Sequence, residues 1–129
     1  GRYLRSLAER DGASLVHCFA GKDRTGVAAM LLLHILGASE EDQYAEFLLT
    51  NASPTLHVLR AQSVPGIEAR LGRSLDEDAI RALLEVHEDY LTRFRETASA
   101  MAGSLDDWIA QSVGVDDDLR SKLRVRFIA

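Results

Sequence analysis

The sequence predicts an α/β fold that is mostly helical, with one clear strand leading directly into a loop. Three observations support this prediction. A short apolar run bounded by turn residues covers positions 13–17, a strongly apolar run with helical periodicity covers positions 24–36, and helical spacing recurs through the rest of the chain. With 129 residues, 47% hydrophobic and 27% charged, the chain has the composition of one soluble globular domain.

The formal net charge of -5 argues against general binding to nucleic acid or to anionic membranes, so any phosphate must be bound locally. The single cysteine excludes an intramolecular disulfide and suits a reducing compartment or a reactive thiol. The longest apolar run, residues 27–35, is too short to cross a bilayer, and no stable membrane insertion is predicted. A cytoplasmic and a secreted location both fit these features.

Three helices are predicted in the first half of the chain. The first covers residues 2–10, where apolar residues recur at helical spacing before a turn. The second begins near Arg24, is apolar over most of its surface and ends at Gly37. The third follows a cap at Ser39 and ends before Asn51.

Residues 51–74 hold both prolines of the chain and two glycines among apolar residues, which predicts short helices with interruptions. This segment is either a mobile element or a packed but irregular part of the core. Beyond it, helical spacing continues over residues 76–103, and two further short helices follow caps at Ser104 and Asp116.

The predicted strand over residues 13–17 raises a question about partners, because the backbone groups of a buried strand need hydrogen bonds from a neighbour. Either the strand assignment is wrong or the rest of a sheet lies upstream of Gly1. We favour the second explanation and expect residues 1–129 to be one domain unit that forms the C-terminal part of a larger α/β domain.

The segment HCFAGKDRTG, from His17 to Gly26, contains the groups that phosphoryl transfer to cysteine requires: a thiolate, donors for the phosphate oxygens, a bidentate cation and a proton donor. Cys18 lies where the predicted strand gives way to a loop that opens a helix. Backbone N–H groups of residues 19–25 and the helix dipole would therefore bind an anion and lower the thiol pKa. Arg24 can hold two phosphate oxygens at once, which a lysine cannot do.

The other residues of this segment have supporting roles. Gly21 and Gly26 permit a tight backbone and close packing. Thr25 can donate its hydroxyl to the Cys18 sulfur, and His17 can orient the loop from behind. The predicted substrate-binding set is Phe19, Ala20, Gly21, Lys22, Asp23, Arg24, Thr25 and Gly26.

Lys22 and Asp23 lie at the crown of the loop. Lys22 adds positive charge for a substrate with more than one anionic group, and Asp23 is the only carboxylate close enough in sequence to protonate a leaving oxygen. Adjacent opposite charges are also commonly a solvated pair on a turn, and this alternative stays open for both residues.

A lone cysteine is most often a small buried apolar residue, but the neighbouring residues of Cys18 favour a catalytic interpretation. No metal or other cofactor is predicted, because the remaining histidines lack partners at metal-ligand spacing. Trp108 and the pair Tyr90 and Phe94 occur at helical spacing, which is more typical of core than of a recognition surface. The remaining histidines are His34, His57 and His87.

One segment of the chain resembles the signature of cysteine-based tyrosine and dual-specificity phosphatases. It consists of His17, Cys18, five further residues, and then Arg24 and Thr25. The full string is similar to that of the bacterial protein tyrosine phosphatase B family. The similarity continues to the end of the chain, in residues 90–91, 103–109, 113–115 and 119–124.

The resemblance implies the α/β phosphatase sandwich, with Cys18 as nucleophile, Arg24 as phosphate clamp and Asp23 as a candidate general acid within the loop. It also implies a helical lid, which maps onto residues 54–71 within the segment 51–74. The implied substrates carry phosphotyrosine, phosphoserine, phosphothreonine or phosphoinositide groups. Two alternatives remain: a phospho-ligand binding module without catalysis, and an inositol-phosphate phosphatase with the same loop.

Overall fold

Helices form most of the computed structural model, which describes residues 1–128. In chain order they are α1 (Arg2–Glu9), α2 (Asp23–Leu36), α3 (Glu40–Leu48), α4 (Leu56–Leu71), α5 (Glu77–Leu84), α6 (Glu88–Ala102), α7 (Leu105–Trp108) and α8 (Asp117–Ile128). A 3-10 turn, Leu49–Ala52, follows α3, and a π turn, Ile109–Val113, follows α7. Over this described range, no helix combines the length and the apolar composition of a membrane span.

The strand predicted for residues 13–17 is wrong, and with it the α/β sandwich, because no residue from 1 to 128 lies in a strand or sheet. The segment is irregular, and Leu15 is 89% exposed. A strand forms only when a neighbour pairs with its N–H and C=O groups, and no described segment supplies such a neighbour. The apolar run therefore predicted a burial that does not occur.

Side-chain caps mark the start of several helices, as the sequence predicts. The hydroxyl of Ser39 accepts a hydrogen bond from the N–H of Asp42 at 3.1 Å, and the carboxylate of Asp116 accepts one from the N–H of Leu119 at 2.8 Å. Ser104 caps α7 in the same way. These side chains satisfy N–H groups that the first turn of a helix leaves free, so the helix starts are determined locally.

Two apolar clusters surround α2. The larger cluster joins α2 to α1, α6, α7 and α8, and the smaller cluster joins it to α3 and α6. Gly26 allows α2 to approach α3 closely, because an added Cβ would overlap the ring of Phe47. The buried members are Leu4, Leu7, Ile35, Ala98, Leu105, Ile109, Val115, Leu119 and Leu123 in the larger cluster, and Met30, Phe47, Val86 and Leu91 in the smaller.

Helices α4 and α5 form a hairpin, residues 53–85, with an apolar cluster of its own made by Val64, Ile80 and Leu84. Helix α4 continues through Pro65, so the prediction of interrupted short helices is wrong. Pro65 removes one helical hydrogen bond, but it lies on the exposed side, where water can satisfy the carbonyl that is freed. The assignment of residues 51–74 as a lid stays a prediction.

Candidate active site

The segment from His17 to Lys22 leads directly into α2, whose first residue is Asp23. The N–H of Gly26 donates to the carbonyl of Lys22 at 2.7 Å and makes the first turn of the helix. The N–H groups of the three residues before Gly26 have no partner within an α-helix that starts here. Gly21 has a φ of +70°, a left-handed conformation that glycine adopts without strain.

Cys18 lies among the backbone donors of this turn. The pKa of its thiol is lowered to about 6, and the largest cause is the hydroxyl of Thr25, followed by the N–H of the same residue. The N–H groups of Lys22 and Gly21 lower the pKa further, while partial desolvation raises it. At neutral pH the thiolate is therefore the major form, and the thiolate is the nucleophilic form of cysteine.

The hydroxyl oxygen of Thr25 is buried and has no hydrogen-bond partner of the usual geometry in the described part of the chain. Leaving a buried hydroxyl without a partner is costly. Its proton is therefore available to the neighbouring sulfur, in agreement with its effect on the Cys18 pKa.

We expect Thr25→Ala to raise the pKa of Cys18 from about 6 toward the ordinary range for a thiol, because the largest stabilising contact of the thiolate is lost. Alkylation by iodoacetamide requires the thiolate, so its rate should fall as the pH drops through about 6 in the wild type, and at higher pH in the variant. The chain has one cysteine, so mass spectrometry reports this site alone. An unchanged midpoint would contradict the role of Thr25, and Thr97→Ala, at an exposed position of α6, is the control.

Asp23 and Arg24 occupy the first two positions of α2, and both are exposed. Among residues 1–128, the Arg24 guanidinium forms no ion pair. The Asp23 carboxylate lies 3.6 Å from the ammonium of Lys22. The cation and the carboxylate thus follow directly on the turn that surrounds Cys18.

The ammonium of Lys22, which was predicted to add positive charge for a substrate with more than one anionic group, points to the C-terminus of α5 in this structure. Its Nζ donates to the carbonyls of Ala82 at 3.3 Å, Leu83 at 2.9 Å and Glu85 at 2.9 Å. Its side chain is only 8% exposed. Lys22 therefore contacts Cys18 through its backbone N–H and α5 through its side chain.

The side chains of three other predicted residues are exposed. Phe19 is 99% exposed and Ala20 is exposed. His17 is exposed too, and its Nδ1 lies 3.0 Å from the carbonyl of Cys18. The roles of Phe19 and Ala20 in substrate binding and of His17 in orienting the loop stay predictions.

A cavity of about 400 Å³ adjoins the start of α2, and most of its wall is apolar. Sequence analysis missed this wall, because Tyr90 and Phe94 have the helical spacing of core residues. Phe94 does pack edge-to-face on Trp108, with ring centroids 5.3 Å apart, but Tyr90 remains partly exposed. The lining residues are Asp23, Arg24, Val27, Phe47, Tyr90 and Phe94.

Comparison with known proteins relates the whole sequence to one family. A family model described as "Tyrosine phosphatase family" matches residues 1–129. A protein from Cupriavidus necator whose name is that of a tyrosine-protein phosphatase is 37% identical over 103 residues, which are 79% of this chain and 36% of that protein. Triple specificity protein phosphatase PtpB of Mycobacterium tuberculosis is 30% identical over 118 residues, 85% of this chain and 42% of that protein.

A tyrosine-protein phosphatase of Nostoc commune is 40% identical over 60 residues, which are 46% of this chain and 19% of that protein. The chain therefore spans less than half the length of each of these three relatives.

Proposed function

Because this chain belongs to the tyrosine phosphatase family, we propose that it hydrolyses phosphomonoesters through a cysteinyl-phosphate intermediate. The observation that carries the proposal is the thiol of Cys18, whose pKa is lowered to about 6 by donors from Thr25, Lys22 and Gly21. Attack on phosphorus requires a thiolate, and preorganised N–H groups stabilise the negative charge of the transferring group.

In the proposed reaction, the sulfur of Cys18 attacks phosphorus in line with the leaving oxygen, so the S–P bond forms as the P–O bond breaks. Arg24 and the loop N–H groups stabilise the equatorial phosphate oxygens, and Asp23 gives its proton to the leaving oxygen. Water then attacks phosphorus, and Asp23 takes the proton of this water. The S–P bond breaks, inorganic phosphate leaves and the thiolate is restored.

We propose phosphotyrosine-containing proteins as the main substrates, with phosphoserine, phosphothreonine and phosphoinositide groups as further ones. The apolar cavity beside Arg24 supports the first of these, because its wall suits an aromatic ring attached to the phosphate. The name of the Mycobacterium tuberculosis relative, a triple specificity protein phosphatase, supports the wider range.

The test compares the wild type with Asp23→Asn on phenyl phosphate and para-nitrophenyl phosphate, with phosphate release measured by malachite green in the presence of EDTA. We expect the wild type to hydrolyse both esters. Asp23→Asn should slow hydrolysis of phenyl phosphate by about 10²–10³-fold, the usual range of general acid catalysis. It should slow para-nitrophenyl phosphate far less, because nitrophenolate leaves without a proton.

Asp117→Asn is the matched control, since Asp117 is the first residue of α8 as Asp23 is of α2. Equal slowing of the two esters by Asp23→Asn would assign the acid role to another group. If calorimetry detects binding of a phosphate ester but no phosphate is released, the chain is a phospho-ligand binding module and the proposed hydrolysis is wrong.

A further inference from the structure

Lys22 is the buried lysine of this molecule, and its environment differs from that of the only other lysine, Lys122. The side chain of Lys122 is 55% exposed and pairs with Asp118 in its own helix, whereas that of Lys22 is 8% exposed. A buried ammonium is costly unless its donors are satisfied. The three carbonyls at the end of α5 satisfy those of Lys22.

These contacts also complete the end of α5. The last carbonyls of a helix lack partners within it and carry the negative end of the helix dipole. The N–H of Glu85 satisfies the carbonyl of Arg81 at 2.8 Å, and Lys22 supplies donors for the carbonyls of Ala82 and Leu83 that follow. A cation from the Cys18 turn therefore caps a helix that lies 60–63 residues further along the chain.

Within residues 1–128, few other hydrogen bonds connect the hairpin of α4 and α5 to the rest of the structure. Its apolar cluster is separate from the two clusters around α2. The amide of Asn51 joins the two ends of the hairpin, because it donates to the carbonyl of Val86 and accepts from the N–H of the same residue, both at 2.8 Å. This closes the base of the hairpin but does not reach the Cys18 turn.

The end of α5 is also close to the candidate active site. A cavity of about 410 Å³ is lined by Ala82, Glu85, Val86 and Tyr90, among others. Tyr90 also lines the apolar cavity beside Arg24. A change in the position of α5 would therefore alter the surroundings of the site.

We propose that Lys22 is a positioning residue, whose ammonium holds the α4–α5 hairpin against the Cys18 turn so that the hairpin and the backbone donors of the turn keep one fixed arrangement. The importance of this arrangement for catalysis rests on the proposed phosphatase function, but the contact between Lys22 and α5 does not. The same residue holds α5 through its side chain and faces Cys18 through its N–H. Loss of the side-chain contacts therefore releases both the α4–α5 hairpin and the Cys18 turn.

Hydrogen exchange measured by mass spectrometry tests the contact. In Lys22→Met, which keeps the length of the side chain without its charge, exchange in residues 77–85 should be at least roughly tenfold faster, because charged hydrogen bonds that close this segment are lost. The peptides that cover α6 and α8 should change little. Lys22→Arg should keep most of the protection, since it retains a cation with several donors, and Lys122→Met should leave residues 77–85 unchanged.

A second measurement uses the wild type and needs no variant to fold. Reductive methylation of the native protein should modify Lys122 at least about tenfold faster than Lys22, because a buried and hydrogen-bonded amine is protected from reagent. Equal rates for the two lysines, or unchanged exchange of residues 77–85 in Lys22→Met, would overturn the proposal.

The coupling to the turn is read from alkylation of Cys18 against pH. We expect its midpoint to move upward in Lys22→Met and to stay near the wild-type value in Lys22→Arg and Lys122→Met. If the hairpin exchanges faster in Lys22→Met while the midpoint is unchanged, the coupling is refuted. None of these measurements uses a substrate, so their outcome is independent of whether the chain hydrolyses phosphate esters.

Discussion

Replacement of Cys18 by serine is expected to lower phosphate release by at least about 10⁴-fold, because a serine hydroxyl is not ionised at neutral pH and the covalent route is lost. The thiol of Cys18, in contrast, has a pKa of about 6 and is mostly thiolate at neutral pH. The measurement is kcat/KM for para-nitrophenyl phosphate, with the wild type and Cys18→Ser at equal concentration.

The backbone donors of Gly21, Lys22 and Thr25 do not depend on the sulfur, so Cys18→Ser should still bind inorganic phosphate in calorimetry. Alkylation of the wild type should abolish turnover as the substitution does, since the chain has one cysteine. Turnover by Cys18→Ser close to the wild-type rate would rule out the cysteinyl-phosphate route.

Arg24→Lys is expected to lower kcat/KM by roughly 10²–10³-fold, although the positive charge is kept. The planar guanidinium can hold two phosphate oxygens at once, and an ammonium acts as a point charge. Arg24 forms no ion pair within residues 1–128, so the loss would not come from a broken ion pair. The thermal midpoint of the variant should therefore stay close to that of the wild type.

Arg93→Lys is the matched control, because Arg93 is an exposed arginine that pairs with Glu96 one turn further along α6. It should leave kcat/KM within a factor of about two. The substitution affects only a surface ion pair, and because such pairs contribute little to stability, the fold should be unchanged. If Arg24→Lys hydrolyses the ester as fast as Arg93→Lys, Arg24 does not clamp the phosphate.

The helices were predictable because their signals are local. Gly37 ends α2 in a left-handed conformation, with a φ of +92°, and the caps at Ser39, Ser104 and Asp116 start helices at the predicted positions. A capping side chain and the N–H that it accepts lie within one turn of each other. The sequence of that turn is sufficient to place the boundary.

The strand over residues 13–17 was not predictable in the same way, because a strand forms only with a pairing partner, which the local sequence does not specify. The apolar run indicated burial, but Leu15 is almost fully exposed. Pro65 led to the wrong prediction of an interrupted helix. A proline on an exposed helix face is tolerated where water replaces the missing hydrogen bond.

By itself, the sequence determined the turn around Cys18, because the groups that act on the sulfur come from the residues that directly follow it, up to Thr25. Only the tertiary structure decided where the charge of Lys22 points and which side chains line the cavity beside Arg24. The physical reason is the separation along the chain: the carbonyls that hold Lys22 lie 60–63 residues away, and Tyr90 reaches the site only when α6 packs near α2. Contacts of this range follow from the packing of whole helices, which local spacing does not specify.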